Sequence, residues 1–149
     1  MAEIIRTGSA VWSGDLRTGK GTTSTGGGGL RELPYSFHSR FENGSGTNPE
    51  ELIASAHASC FSMALSKILS EQGHTPKEIR TKASVTLAKS DAGFKISRVH
   101  LETEGAGPGI DERGFREAAE KAKDHCPVSM LLKPGLESLT LDAKLGRGV

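Results

Sequence analysis

Hydrophobic and polar positions change their period along this chain, and each change marks an element. Up to residue 46 the apolar positions come in short runs broken by glycine. Ala10-Val-Trp-Ser-Gly-Asp-Leu reads as a strand running into a turn, and Thr22-Thr-Ser-Thr-Gly-Gly-Gly-Gly-Leu as a strand closed by a glycine turn. Consecutive glycines cannot hold a regular element without a large entropy loss, so Gly26 to Gly29 mark a hairpin tip. Pro34-Tyr-Ser-Phe-His-Ser-Arg-Phe-Glu reads as a looser segment leading to the loop Asn43-Gly-Ser-Gly-Thr.

From Asn48 the period becomes helical. Asn48 is an N-cap, Pro49 suits the first helical position, and Glu51 is placed as the reciprocal acid of a capping box. Leu52, Ala56, Cys60, Met63 and Ala64 form one row, and Ile53, Phe61, Leu65, Ile68 and Leu69 another. Together they nearly surround the helix, which predicts burial on most sides. Gly73 ends it and Pro76 seals the end. Alternation then returns in Thr81–Lys89 and Phe94–Glu104, joined by an Asp91-Ala-Gly turn. Asp111 is placed to cap a second helix over Glu112–Asp124, with Phe115, Ala118, Ala119 and Ala122 inward. Pro127 restarts a short helix, and Leu136–Leu145 is a last strand. Strands, helix, strands, helix, strand, with no repeat and no linker, predict an α+β fold with segregated sheets and one domain over residues 1–149.

Composition narrows the partners. The chain has 149 residues, 35% of them hydrophobic, and a net charge near +1, which is no electrostatic footprint for nucleic acid. The apolar stretches are interrupted by Ser, His or Lys, so no membrane span is expected, and the start of the chain lacks the apolar run of a signal peptide. A soluble cytoplasmic protein is the expectation. The glycine run has no strand-then-helix frame, so no phosphate or cofactor loop is expected either.

In a reducing compartment two cysteines mean catalysis or simple packing. Cys60 lies mid-helix among Ala56, Ser59 and Ala64; Cys126 stands between a charged helix and Pro127. One sulfur to be oxidised and one to resolve it is what peroxide reduction needs. Burial alone would raise the Cys60 pKa and make the thiol inert, so a reactive Cys60 needs a cation. His57 shares roughly its face, but Arg17 or Arg40, folding over the helix, suits better, because a guanidinium stays charged when desolvated. Glu50 and Glu51 compete to hold that Arg; Glu50 lies about 80° round the helix from Cys60 and about 15 Å along it, the better placement. The plain alternative is that both acids complement the helix dipole. Cys126 would face unpaired N–H groups at a helix start, which favours thiolate, or would simply fill a corner between helices. His57, Cys60, His125 and Cys126 carry metal-ligating atoms, but adjacent His125 and Cys126 are poor geometry for one tetrahedral site, and no metal is expected. His38, His74 and His100 read as surface or strand residues.

The run Thr47-Asn-Pro-Glu-Glu-Leu-Ile-Ala-Ser-Ala-His-Ala-Ser-Cys-Phe-Ser-Met-Ala-Leu, with His125-Cys-Pro-Val-Ser downstream, resembles the OsmC/Ohr family. Gly8-Ser-Ala-Val-Trp-Ser-Gly-Asp-Leu-Arg-Thr-Gly-Lys-Gly, Tyr35-Ser-Phe-His-Ser-Arg-Phe-Glu, Asp91-Ala-Gly-Phe-Lys-Ile and Pro108-Gly-Ile-Asp look like its OsmC branch. The resemblance implies a thiol peroxidase for organic hydroperoxides and hydrogen peroxide, active in oxidative or osmotic stress. It implies an interwoven homodimer with long central apolar helices flanked by antiparallel sheets. It implies that Cys60 becomes a sulfenic acid, that Cys126 resolves it as a disulfide, and that a dithiol reductant such as a lipoylated protein restores both. It also implies an active-site Arg and Glu. Glu50 occupies the acidic position, and the Ser39-Arg-Phe word points to Arg40, with Arg17 the alternative. On this reading Arg40 lowers the Cys60 pKa and positions the peroxide, Glu50 holds Arg40, and apolar Phe61, Met63 and Leu131 favour organic substrates. No cofactor, nucleic acid or membrane partner is implied. The rival reading is a non-enzymatic dimer whose cysteines are packing residues.

Overall fold

A computed structural model describes residues 2–146. Its chain divides into two compact units, Met1–Leu52 and Ile53–Val149. In the first, β1 (Gly8–Ser13), β2 (Lys20–Thr25) and β3 (Leu33–Tyr35) form an antiparallel sheet in chain order. Gly21 is the pivot of that sheet. It pairs with Trp12 on one side and Tyr35 on the other, and the two rings approach to 5.4 Å. A Cβ on Gly21 would come within 2.7 Å of Tyr35 and 2.8 Å of Trp12, so the missing side chain is what lets the aromatics close over the strand. The glycine run makes the turn from β2 to β3, with Gly28 at φ +79°.

The segment after β3 is more ordered than its sequence suggests. A five-residue helix, α1 (Phe37–Phe41), follows Ser36, whose hydroxyl accepts from the Ser39 N–H while the Ser39 hydroxyl accepts from the Ser36 N–H. So short a helix shows no hydrophobic period, and the Ser36-x-x-Ser39 reciprocal cap is the one signal that marks it.

The long helix α2 (Pro49–Glu71) begins where Asn48 accepts from the Glu51 N–H at 2.8 Å. The Glu51 carboxylate is engaged by the Thr47 hydroxyl at 3.4 Å, a different partner from the one the capping-box pattern predicts. At the far end Gly73 (φ +86°) lets the His74 N–H reach the Leu69 carbonyl at 2.9 Å. By length and composition α2 is apolar enough to cross a bilayer, with a mean hydropathy of 1.4 over its most apolar window, a test that the core helix of a soluble protein passes equally. One row of it, His57, Phe61, Leu65 and Leu69, is fully buried in the core of the second unit. Burial on most sides does not follow: Ala56 and Met63 on another face stand exposed, Met63 at 75%. Among the described residues of the second unit, one side of the helix has a layer to pack on.

That layer is the second sheet. β4 (Glu78–Ser90) and β5 (Gly93–Ala106) form a long antiparallel hairpin, and β6 (Ser138–Leu145) joins the other edge of β5 in parallel. The expectation of antiparallel sheets therefore holds for β1–β3 and for β4–β5, while β6 makes the second sheet mixed. The reason is the crossover: α3 (Glu112–His125) and α4 (Pro127–Leu132) carry the chain back to the starting end of β5. β5 is the sheet's centre, with Ser97, Val99, Leu101, Thr103 and Gly105 buried and Arg98, Glu102 and Glu104 exposed, a period of two. α3 turns Phe115, Ala118, Ala119 and Ala122 onto the core, as its pattern predicts, and Asp111 caps it through the Gly114 N–H at 2.6 Å.

Phe115 packs against Gly105, where an added Cβ would sit 2.4 Å from the ring. The ring is fully buried and cannot withdraw. Gly105→Ala is therefore expected to lower unfolding stability by about 1–3 kcal/mol, read as a shift of the urea midpoint.

Candidate active site

Within the second unit, the break between α3 and α4 organises both sulfurs. Cys126 closes α3, its N–H bonding to the Ala122 carbonyl at 2.9 Å, and opens α4, with Pro127 at the first helical position. Its extended backbone (φ −64°, ψ 136°) is what separates two helices that would otherwise run on. The Cys126 sulfur accepts from the Ser129 N–H at 3.3 Å, and its S–H donates to the Ser129 hydroxyl at 3.3 Å. The sequence placed Cys126 at this cap, and the structure adds that the residue is wholly buried.

Cys60 reaches the same helix start from α2. It is half-buried against the core, close enough to Val128 and Cys126 for the main-chain N–H of the one and the thiol of the other to act on its titration. Both thiols are free. Burial pushes the Cys60 thiol above its ordinary value, the Val128 N–H pulls it down, and the neighbouring Cys126 pushes it up again. Residues far apart in sequence thus meet at one turn of backbone.

Two other polar side chains converge there. His57 Nε2 lies 2.7 Å from the Ser129 hydroxyl, and both residues are fully buried. The sequence reading considered His57 as a helper of Cys60; its partner is Ser129. Ser129 was missed, although its position three residues after a capping Cys126 is where a side chain can turn back onto the cap. His125 is exposed and bonded to the Lys121 carbonyl. Among the described residues no three His, Cys, Asp or Glu side chains group as metal ligands.

Within the first unit a relay of hydrogen bonds sets Arg40 against Glu50. The Ser39 hydroxyl donates to the Thr47 carbonyl at 2.7 Å, and the Asn48 amide donates to the Ser39 carbonyl at 2.9 Å. These bonds tie α1 to the first turn of α2. Arg40 Nε then donates to Glu50 Oε1 at 2.8 Å, with the Glu50 side chain only 9% exposed and that of Arg40 36%. The contact uses Nε, so the two terminal nitrogens of the guanidinium stay outside it. The second Glu50 oxygen is buried with no hydrogen-bond partner among the described residues. Arg17 makes a different contact, its guanidinium stacking on Phe37 at 5.1 Å. Glu51 is exposed. Of the apolar residues expected to greet an organic substrate, Phe61 is sealed in the core and cannot, whereas Met63 and Leu131 stand 75% and 77% exposed.

The OsmC-like protein family matches residues 42–138 of the chain. The Peroxiredoxin OsmC of Escherichia coli (strain K12) is 53% identical over 142 residues, covering 95% of this chain and 97% of that protein. The Organic hydroperoxide resistance protein OhrB of Bacillus subtilis (strain 168) is 34% identical over 90 residues, which is 59% of this chain and 63% of the relative. The crystal structure of OhrB of Bacillus subtilis superposes with a TM-score of 0.71 at 25% identity, covering 93% of this chain and 98% of that one.

Because Cys126 contributes to holding the Cys60 thiol up, Cys126→Ser, which keeps a capping atom but no titrating sulfur, is expected to move the alkylation profile of Cys60 to lower pH. Rates of iodoacetamide labelling across pH, read by mass spectrometry, measure it; an unmoved profile would mean that the two sulfurs do not sense each other.

Proposed function

Since this chain belongs to the OsmC-like protein family, we propose that it is a thiol peroxidase that reduces organic hydroperoxides, and hydrogen peroxide, in the response to oxidative or osmotic stress. The observation that carries this reading is the meeting of two free thiols at the start of α4. The Cys60 thiolate attacks the terminal oxygen of the hydroperoxide. An S–O bond forms, the O–O bond breaks, and the alkoxide leaves as alcohol on taking a proton, so Cys60 becomes a sulfenic acid. The Cys126 sulfur then forms an S–S bond with Cys60 and displaces water. A dithiol reductant, such as a lipoyl group on a protein, reopens the disulfide by exchange.

Arg40 is the proposed cation. Its charge offsets the burial that raises the Cys60 thiol, and its terminal nitrogens orient the peroxide. Glu50 holds Arg40 through Nε, which supports Arg40 over Arg17 for this part. The whole of residues 1–149 is proposed to act as one catalytic domain. A second copy of the chain is proposed to cover the exposed apolar face of α2 around Ala56 and Met63 in an interwoven homodimer. The cytoplasm, where thiols stay reduced, suits the cycle.

After one equivalent of cumene hydroperoxide, the wild-type protein is expected to lose a pair of hydrogens as a Cys60–Cys126 disulfide, while Cys126→Ser gains one oxygen on Cys60. Intact mass spectrometry distinguishes the two, and consumption of no peroxide by the wild type would favour the packing role for both cysteines. Arg40→Met is expected to lower peroxidase kcat/KM by roughly 10²–10³; a loss under twofold would move the role to another cation. In direct competition cumene hydroperoxide should outrun hydrogen peroxide, and equal rates would count against an apolar approach to Cys60. Met63→Glu is expected to shift the sedimentation velocity profile from dimer to monomer.

A further inference from the structure

His57 and Ser129 are fully buried polar side chains for which the reaction above has no task. They form a file with the second cysteine: Cys126 Sγ to Ser129 Oγ at 3.3 Å, then Ser129 Oγ to His57 Nε2 at 2.7 Å. A buried imidazole is costly in a core of Phe61, Leu65, Val99 and Leu101, and its Nδ1 is buried with no hydrogen-bond partner among the described residues. Ser129 could cap α4 through its N–H alone. The hydroxyl and the imidazole need another account.

The chemistry of Cys126 supplies one. A thiol must lose its proton before its sulfur attacks, and Cys126 is sealed from water, so no solvent base reaches it. We propose that His57, acting through the Ser129 hydroxyl, takes the proton from Cys126 and so makes it the nucleophile that resolves oxidised Cys60. This rests on the reading of Cys126 as the resolving thiol. The Cys126 proton passes to Ser129 Oγ as the Ser129 proton passes to His57 Nε2. The thiolate left behind keeps two donors, the Ser129 N–H and the Ser129 O–H. It forms the S–S bond to Cys60 as the S–O bond breaks. The departing hydroxide becomes water on taking one proton, His57 returns to neutral, and no net proton is gained or lost. Burial keeps His57 below its ordinary pKa, so the ring starts neutral and able to accept.

His57 and Ser129 are thus positioning and proton-transfer residues for the second step, and the ratio of disulfide formation to sulfenic acid formation isolates that step. Rapid-quench mass spectrometry with cumene hydroperoxide, with a dimedone trap for the sulfenic acid, gives both rates. Ser129→Ala is expected to lower the ratio by roughly 10², and Ser129→Thr, which restores a hydroxyl, to recover most of it. His57→Gln keeps a hydrogen-bonding group but no comparable base, and should lower the ratio similarly. Ratios within twofold of wild type in Ser129→Ala and His57→Gln would overturn the relay, as would a Ser129→Thr protein no better than Ser129→Ala. The unmodified protein gives an independent readout: disulfide formation should show a solvent deuterium isotope effect of about two, and an effect of unity overturns the proposal. If the wild type forms no Cys60–Cys126 disulfide at all, it is the role of Cys126 that has failed. A normal disulfide with unaffected variants condemns the relay alone.

Discussion

The bond from the Ser129 N–H to the Cys126 sulfur is the constraint on which the rest of the second unit depends. It breaks the polypeptide into α3 and α4, and it does so with a sulfur in the place where a Ser or Asp oxygen would ordinarily sit. A side chain serving as cap cannot wander, so the second thiol is held where the fold puts it. The same backbone turn brings the Val128 N–H close enough to Cys60 to lower its thiol's pKa. One short helix therefore addresses both sulfurs with main-chain donors, and neither thiol can shift without disturbing the core that Phe115, Ala118, Ala119 and Ala122 build behind it.

Placing a thiol beside such a core sets two requirements in opposition. Apolar surroundings exclude water, but they also penalise the thiolate, and the net direction at Cys60 is upward. Main-chain N–H groups oppose this without introducing a charge that would itself need solvation. Within the first unit, Ser36, Ser39, Thr47 and Asn48 lock α1 to the start of α2 so that Arg40 meets a buried Glu50. A buried carboxylate with an unsatisfied oxygen is expensive unless its partner stays charged, which an arginine does. The pair is readily understood as a device for keeping a positive charge in a fixed place.

Long, strongly patterned elements were legible in the residues themselves. Asn48 and Gly73 bound α2 because a cap and a left-handed residue are local requirements, and the inward set of α3 follows from helical spacing alone. Short or two-sided features were not. α1 is too brief to show a period. The rows around α2 promise burial on most sides, yet a period says which residues share a face and not how many faces find a neighbour; Met63 shows the difference. β6 alternates as any strand does, and alternation carries no information about whether its partner runs with it or against it.

By itself the sequence determined the chemical repertoire: two thiols, one in a long apolar helix and one before a proline, with an Arg and a Glu in words that place them near a helix start. Those are properties of neighbours along the chain. The meeting of Cys60 with Cys126, the choice of Arg40 over Arg17 as partner of Glu50, and the file from Cys126 through Ser129 to His57 belong to the tertiary structure. The first and third depend on contacts between residues remote in sequence, whose distances are decided by how the second sheet, α2 and α3 exclude water together, and the second on how α1 is locked to the start of α2; no local pattern encodes either.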